Sequence, residues 1–440
     1  MKLPGGLQMK GKLSSKSLLE IIHNSFGAIV DPRDISDKGI KLTDCLMSGY
    51  ALFSLKYPSL LQFDQNYKQD ITRHNLKTLY KVNRAPSDTY MRERLDEIDP
   101  AKYLRKPFKK LLAEFQRSKY LELFKFYNGR YLVPLDGTGY FNSQDIHCAN
   151  CCEKRHRDGR ISYYHQILTG ALVHPNYKVA LPFAPEPIMK TDGSTKNDCE
   201  RRAAERFLDD LRREHPHMKI IITGDGLFSN GPFIKRLKAD DHKFILVAKE
   251  KDHKYLFGEF RALAKDEHKL KQKELTHRFK YMNGLPLNDS HPDCLVNVLE
   301  YWEESKKGEI RHWAWVTDIP LSRDTVYKVM RGGRARHKIE NETFNTLKNQ
   351  GYHFEHNFGH GKKHLSTVFA YLMNLAFFVD QLRQLCCKAF KKALIRLCSK
   401  KNLWEKQRGL FFHYFIDSWE TFAGALAHGH RGSKLEIDTS

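Results

Sequence analysis

Two acidic residues stand in matching surroundings, each closing an apolar run and followed by glycine: Leu135-Asp136-Gly137 and Gly224-Asp225-Gly226. Carboxylates at the ends of adjacent strands can converge on one divalent cation. Glycine beside them permits the close approach that a metal and a phosphate need. An Asp before Gly is otherwise a turn former, so the pair alone leaves both readings open. A third carboxylate, Glu340, lies in Arg334 to Lys348, which reads as a helix with Ile339, Thr343 and Leu347 toward the core. Arg336 and Glu340 are four residues apart and share a helix face, an arrangement that surface ion pairs also adopt. Elsewhere Cys148-Ala149-Asn150-Cys151 is a candidate half of a zinc site, its remaining ligands to come from His147, Cys152, His156 or further away. Ordinary loop thiols are the alternative.

The elements that must position these residues follow from pattern. Tyr131 to Leu135 is a strand running into the turn Asp136-Gly137-Thr138-Gly139. Ile161 to Val173 and Tyr177 to Phe183 form a hairpin about His174-Pro175-Asn176. Asn197-Asp198 caps a helical stretch, CERRAAERFLDDLRRE. Lys219 to Thr223 is a β-branched strand, Pro232 to Leu237 a helix, and Phe244 to Ala248 a strand. Strand, hairpin, helix, strand, helix, strand is an α/β layout with a mixed sheet. Phe279 to Leu287, Leu295 to Trp302 and Ile310 to Val316 read as an antiparallel β insertion, where Trp302, Trp313 and Trp315 are either core filler or contacts to bases. The first 125 or so residues, and those from Ser322 to about 425, read as helical.

Charge narrows the partner. Of 440 residues, 74 are Lys or Arg and 52 Asp or Glu, a net charge of +22, and the pI is about 9.4. Such a balance points to a polyanion, with nucleic acid first. Hydrophobic residues at 41% and aromatic residues at 12% exclude wholesale disorder. Nine scattered Cys make no disulfide framework, which favours a reducing cytosol. MKLPGGLQMKGKLSSK lacks the apolar core of a signal peptide, and Thr367 to Val379, interrupted by Asn374, is shorter than the ~20 residues that span a bilayer. Basic side chains recur on Arg105, Lys106, Lys109 and Lys110, opposite Leu104, Phe108, Leu111, Leu112 and Phe115, and again between Arg383 and Arg408. Each such face meets either DNA or water. The loop His353 to His364, with Lys362 and Lys363, could offer phosphates both backbone amides and cations.

The chain resembles DDE transposases of the bacterial insertion-sequence type, which have an RNase H-like core like that of retroviral integrases. The resemblance is carried by Asp136 in PLDGTGYF, Asp225 in IITGDGLFSNGP and Glu340 in RHKIENETFNTLK, with YYHQILTGALVHP, APEPI, TKNDCE and GYHFEHNFGHGKKHLS beside them. It spans about residues 85 to 380. It implies that Asp136, Asp225 and Glu340 form a catalytic, metal-binding triad, with Glu342 as the rival third carboxylate. Arg336 matches the Arg of the family's Tyr-Arg-Glu-Lys signature and, with Lys348, is expected on DNA phosphates. Two departures stand out. Gly333 occupies the place of the signature Tyr, and Lys348 follows Glu340 by eight residues rather than seven, about 80° off that face of a straight helix. Two Mg²⁺ (or Mn²⁺) ions are the implied cofactors, which activate water or a DNA 3′-hydroxyl and stabilise the leaving oxygen. The family does not generally require zinc.

The expectation is therefore an α/β protein with an RNase H-like mixed sheet flanked by helices. Its parts are a helical DNA-binding region (1–125), core (126–250), β-rich insertion (251–321), core with the Glu340 helix (322–380) and helical C-terminal region (381–440). The implied activity is cleavage and strand transfer of double-stranded DNA at terminal inverted repeats, by a homodimer in the bacterial cytoplasm on the nucleoid and without a membrane. The alternatives are a DNA-binding protein that has lost catalysis, and a stand-alone nuclease with the same core.

Overall fold

Ile220, Ile221 and Ile222 make a β-branched run suited to a strand covered on both faces. In the computed structural model, which describes residues 13–31, 39–193, 195–272 and 274–429, this run lies in the middle of a 12-stranded sheet and is fully buried. Most of the N-terminal stretch read above for a signal peptide lies outside the described residues.

The chain begins with helices α1 (Ser15–Phe26), α2 (Leu42–Ser54), α3 (Leu60–Asn66), α4 (Asp70–Tyr80), α5 (Asp88–Asp96), α6 (Pro100–Tyr103) and α7 (Arg105–Arg117). Strands β1 (Lys125–Tyr127), β2 (Arg130–Ser143), β3 (Cys152–Arg155), β4 (Ile161–Leu172), β5 (Leu181–Pro182) and β6 (Glu186–Ile188) follow. Helix α8 (Lys196–Glu214) then crosses to β7 (Ile220–Gly224), and α9 (Gly231–Ala239) to β8 (Lys243–Val247). After α10 (Lys254–Leu263) come β9 (Asp266–Gln272), β10 (Leu275–Asn288), β11 (His291–Ser305) and β12 (Ile310–Thr317). The rest is helical: α11 (Val326–Arg334), a π-helical turn at Ile339–Phe344, α12 (Asn345–Asn349), α13 (Leu365–Cys386), α14 (Lys388–Leu397), α15 (Lys400–His413) and α16 (Trp419–His428).

The sheet runs β3-β4-β2-β7-β8-β12-β11-β10-β9. β2, β7 and β8 are parallel to one another, while β2–β4 and β8–β12 are antiparallel. The hairpin expected about His174 forms, but its second arm pairs only through Leu181 and Pro182. The stretch read as a β insertion does not stand apart: β12 joins β8 through Trp315↔Val247 and Thr317↔Ile245, so it prolongs the core sheet. Strand β9 escaped the sequence reading because DEHKLKQ is almost wholly polar, as suits a solvated edge strand that discourages pairing with other chains.

Helices cover both faces. α8 buries Cys199, Ala203, Ala204, Phe207, Leu208 and Leu211, a 3.6-residue stripe capped at Thr195, whose side chain accepts the Asp198 N–H. α11 packs Val326, Val329 and Met330 on the other face, with Leu132, Ile221, Ile245 and Trp315. The N- and C-terminal helices share a core in which α2 lies against α13. Inside it, Lys56 Nζ donates to Asp380 Oδ2 (2.6 Å), which also accepts the Tyr352 hydroxyl (2.7 Å). α13 extends beyond the apolar stretch seen in the sequence, to 22 residues. It is long and apolar enough to cross a membrane, yet 94% of its most apolar window is buried inside the protein.

Two basic faces differ from expectation. Arg105 does not line the solvated side of α7. It is buried and ion-paired with Glu186, Asp210 and Glu214 (3.3, 2.9 and 2.7 Å), while Lys106 and Lys109 remain exposed. Arg383 is likewise buried, beside Asp380, and the segment from 383 to 408 is broken at Cys387 and at Cys398, whose φ is 61°.

Candidate functional site

Strand register explains how two distant aspartates meet. Pro134 on β2 pairs with Thr223 on β7, so Asp136 and Asp225 each lie two residues beyond the same pair on parallel neighbours. Strands in that relation are ~4.8 Å apart, and residues two apart share a face. Leu132 and Ile221, at the same parity, both pack under α11. Asp225 Oδ1 accepts the Leu227 N–H (2.9 Å), which holds its carboxylate at the turn. Asp136 and Asp225 line one cleft of about 970 Å³.

Glu340 reaches this place from the segment that follows α11. Arg336 bridges it to Asp136: Nη1 donates to Glu340 Oε1 at 2.6 Å and Nη2 to Asp136 Oδ2 at 3.3 Å. Glu342 turns elsewhere, where it acts on the charges of Lys338 and Lys400. Of the two rivals, Glu340 therefore shares a site with Asp136.

The two places where the chain differs from the signature it was compared with above, Gly333 and Lys348, have local surroundings of their own. A Cβ on Gly333 would lie 2.5 Å from the indole of Trp315, so the space a signature Tyr would need is filled from β12. The helix is not uniform either. Six residues, Ile339–Phe344, are π-helical, and a π turn accommodates one more residue than an α turn. Each residue of a π turn advances by a smaller angle, so the rotation from Glu340 to Lys348 is less than in a straight helix. Lys348 Nζ pairs with Glu355 (2.7 Å) in the neighbouring groove, which shares Lys196 with the acidic cleft.

A fourth carboxylate, Glu200, was not singled out from the sequence. It sits on the first turns of α8, buried, and lines the same cleft. A Cβ on Gly137 would come within 3.0–3.3 Å of its carboxylate atoms, so glycine there is what lets α8 approach β2. The visible signal was its place in TKNDCE, immediately after the Thr195 cap.

Crowding of acids sets the electrostatics. Burial first, then the nearby Glu340, Glu200 and Asp225, push the Asp136 carboxyl from 3.8 up to about 7 against the opposing pull of Arg336. Burial and Asp225 likewise raise Glu200. Each of these carboxylates disfavours the others' charge. The rim is basic: Lys196, Lys249, Lys251 and Lys254 are exposed around the cleft, and among the described residues none of them is in an ion pair. Tyr255 stands beside them, 43% exposed. The run KEKDHKY was the sequence trace of this rim, but only the packing of β8 and α10 brings it over the aspartates.

The loop 353–364 is arranged differently from a phosphate cradle. The amides of Lys362, Lys363, His364 and Leu365 all donate to the Asp96 carboxylate at 2.9–3.0 Å. Lys363 Nζ pairs with Glu97 (2.7 Å), and Lys362 is exposed.

Cys148 and Cys151 do come together, but with ligands other than those expected nearby. His165 on β4 and His360 from the loop before α13 join them, and the four ligand atoms lie within 4.8 Å of one another, a cluster that could hold a metal. His147 instead stacks on Tyr163, Cys152 Sγ donates to Ile188 O, and His156 bonds Ser162 Oγ (2.7 Å). Comparison of the chain with protein-family models and with curated proteins finds no match.

Proposed function

We propose that the protein is a DDE transposase with an RNase H-like core, which binds the terminal inverted repeats of an insertion sequence, cuts the DNA and joins it elsewhere. The observations that support this reading are that Asp136 and Asp225, carried by parallel neighbours, line one cleft with exposed lysines, and that Arg336 bridges Asp136 to Glu340. An acidic floor alone would repel DNA. An acidic floor under a basic rim suits a phosphodiester backbone drawn in by the lysines to metal-binding oxygens.

Asp136, Asp225 and Glu340 would hold two Mg²⁺ or Mn²⁺ ions, with Glu200 close enough to share in that charge. When bound, such ions supply a nucleophilic oxygen and stabilise the leaving one. The chain's own residues do the rest. The lysines of the rim position the duplex by its phosphates, and Tyr255 offers an unstacked base a ring. Arg336, which donates to both Asp136 and Glu340, would be placed to donate to a phosphate oxygen at the same site. The partners of this reading are double-stranded DNA and a second copy of the chain at the paired ends, in the bacterial cytoplasm.

The test is Mg²⁺-dependent nicking and strand transfer on a duplex bearing the element's ends. Wild type should do both, and Asp136→Asn should bind the duplex and do neither. Tight binding by wild type without any cleavage, across metals and salt, would instead support a DNA-binding protein. Cleavage without joining would support a nuclease.

A further inference from the structure

The Cys/His cluster lies beyond this reading and does not depend on it. Its four members come from three places in the fold: Cys148 and Cys151 from the β2–β3 loop, His165 from β4, and His360 from the loop that leads into α13. We propose that these four side chains bind a structural Zn²⁺ that staples the start of α13 to the β3–β4 edge of the sheet.

The geometry carries the assignment. Tetrahedral zinc with ~2.3 Å bonds to sulfur and ~2.05 Å bonds to imidazole nitrogen requires edges of ~3.8 Å between sulfurs, ~3.6 Å from sulfur to nitrogen and ~3.3 Å between nitrogens. Cys148 Sγ and Cys151 Sγ are 3.9 Å apart. The sulfur-to-nitrogen edges are 3.5 Å (Cys148–His165), 3.3 Å (Cys151–His165) and 3.3 Å (Cys151–His360). The two Nε2 atoms are 3.1 Å apart. These five distances fall within ~0.3 Å of the corresponding edges of a coordination tetrahedron, and the sixth pair, Cys148 and His360, lies within the 4.8 Å span of the cluster.

The surroundings orient the ligands. His360 Nδ1–H donates to Gly361 O at 2.8 Å, which leaves Nε2 as the coordinating nitrogen. Gly361 holds φ +70° with its missing Cβ pressed against the Asp96 carboxylate, so glycine is what permits the turn that presents His360. The Cys148 N–H donates to Cys151 Sγ at 3.5 Å, as suits a sulfur carrying negative charge. His165 stacks on Tyr140, with planes 14° apart, and Phe141 packs against His360. Binding displaces two thiol protons to solvent and leaves a neutral Zn(Cys⁻)₂(His)₂ centre. With four protein ligands no position is left open, so the centre is structural rather than catalytic.

The test is elemental analysis of the full-length protein, purified without chelator from zinc-replete cells. We expect one zinc per chain, and in cobalt-substituted protein the visible absorption of tetrahedral cobalt with thiolate ligands. Both should fall by at least tenfold in the Cys148→Ser/Cys151→Ser double variant. Substoichiometric zinc in folded wild type, a Cys148–Cys151 disulfide found by mass spectrometry, or full zinc retained in the double variant would overturn the proposal. Should the double variant fail to fold, His360→Gln replaces it and must lose zinc or change the cobalt spectrum. An unchanged metal content and spectrum in that variant would also overturn the assignment.

Discussion

Asp136 is the residue at which the proposed site makes a prediction about stability that needs no activity assay. Its carboxyl is held at about 7 in the folded protein against 3.8 as the ordinary value, with burial the largest cause. The side chain is only 18% exposed, so solvent screens little of this. The unfolded chain releases the proton near pH 4 and the folded chain near 7. Folded protein therefore holds the extra proton between those values, and stability is full below pH 4 and declines as pH rises through 7. At 1.36 kcal/mol per pKa unit, ionised Asp136 costs up to ~4 kcal/mol at pH 8 without metal. Asp136→Asn removes that charge at nearly constant shape. Metal-free variant at pH 8 should melt higher than wild type by on the order of 5 °C, and the gap should close by pH 4. Mg²⁺ at ten times its dissociation constant should stabilise wild type by ~1.4 kcal/mol and the variant far less. Differential scanning fluorimetry across pH, with and without Mg²⁺, reads all of this. A variant that melts below wild type at pH 8, or a gap of the same size at pH 4, would refute the crowding of carboxylates.

Two further outcomes follow from the geometry. On the proposed function, replacing Lys249, Lys251 and Lys254 together by Ala should weaken DNA binding uniformly across sequences and reduce the slope of log affinity against log salt by ~2–3, measured by fluorescence anisotropy from low to moderate salt. Gly333→Ala should lower stability by ~1–3 kcal/mol in urea titration, because the new methyl lies 2.5 Å from the Trp315 ring.

The sequence by itself determined the type and order of the central strands and their covering helices, and which carboxylates those strands carry. Ile220 to Ile222 is apolar on both sides and must be a covered strand, the stripe on α8 must be a packed helix, and the Asp225-Gly226 turn must follow its strand; the turn expected at Asp136-Gly137 does not form, because β2 runs on to Ser143 paired with β4. These are local rules, set within a few residues by periodicity and backbone preference. The tertiary structure alone decided what those rules cannot reach. It brought Glu200 through the gap at Gly137, set the rim of lysines over the aspartates, buried Arg105 and Arg383, and filled the place beside Gly333 with Trp315. The π turn at Ile339–Phe344 belongs here as well, since a sequence offers no local sign of the smaller rotation it imposes before Lys348. So does the meeting of His165 with His360, 195 residues apart in the chain. Such contacts depend on which faces of distant elements pack together, and only the collapse of the whole chain around its sheet selects them.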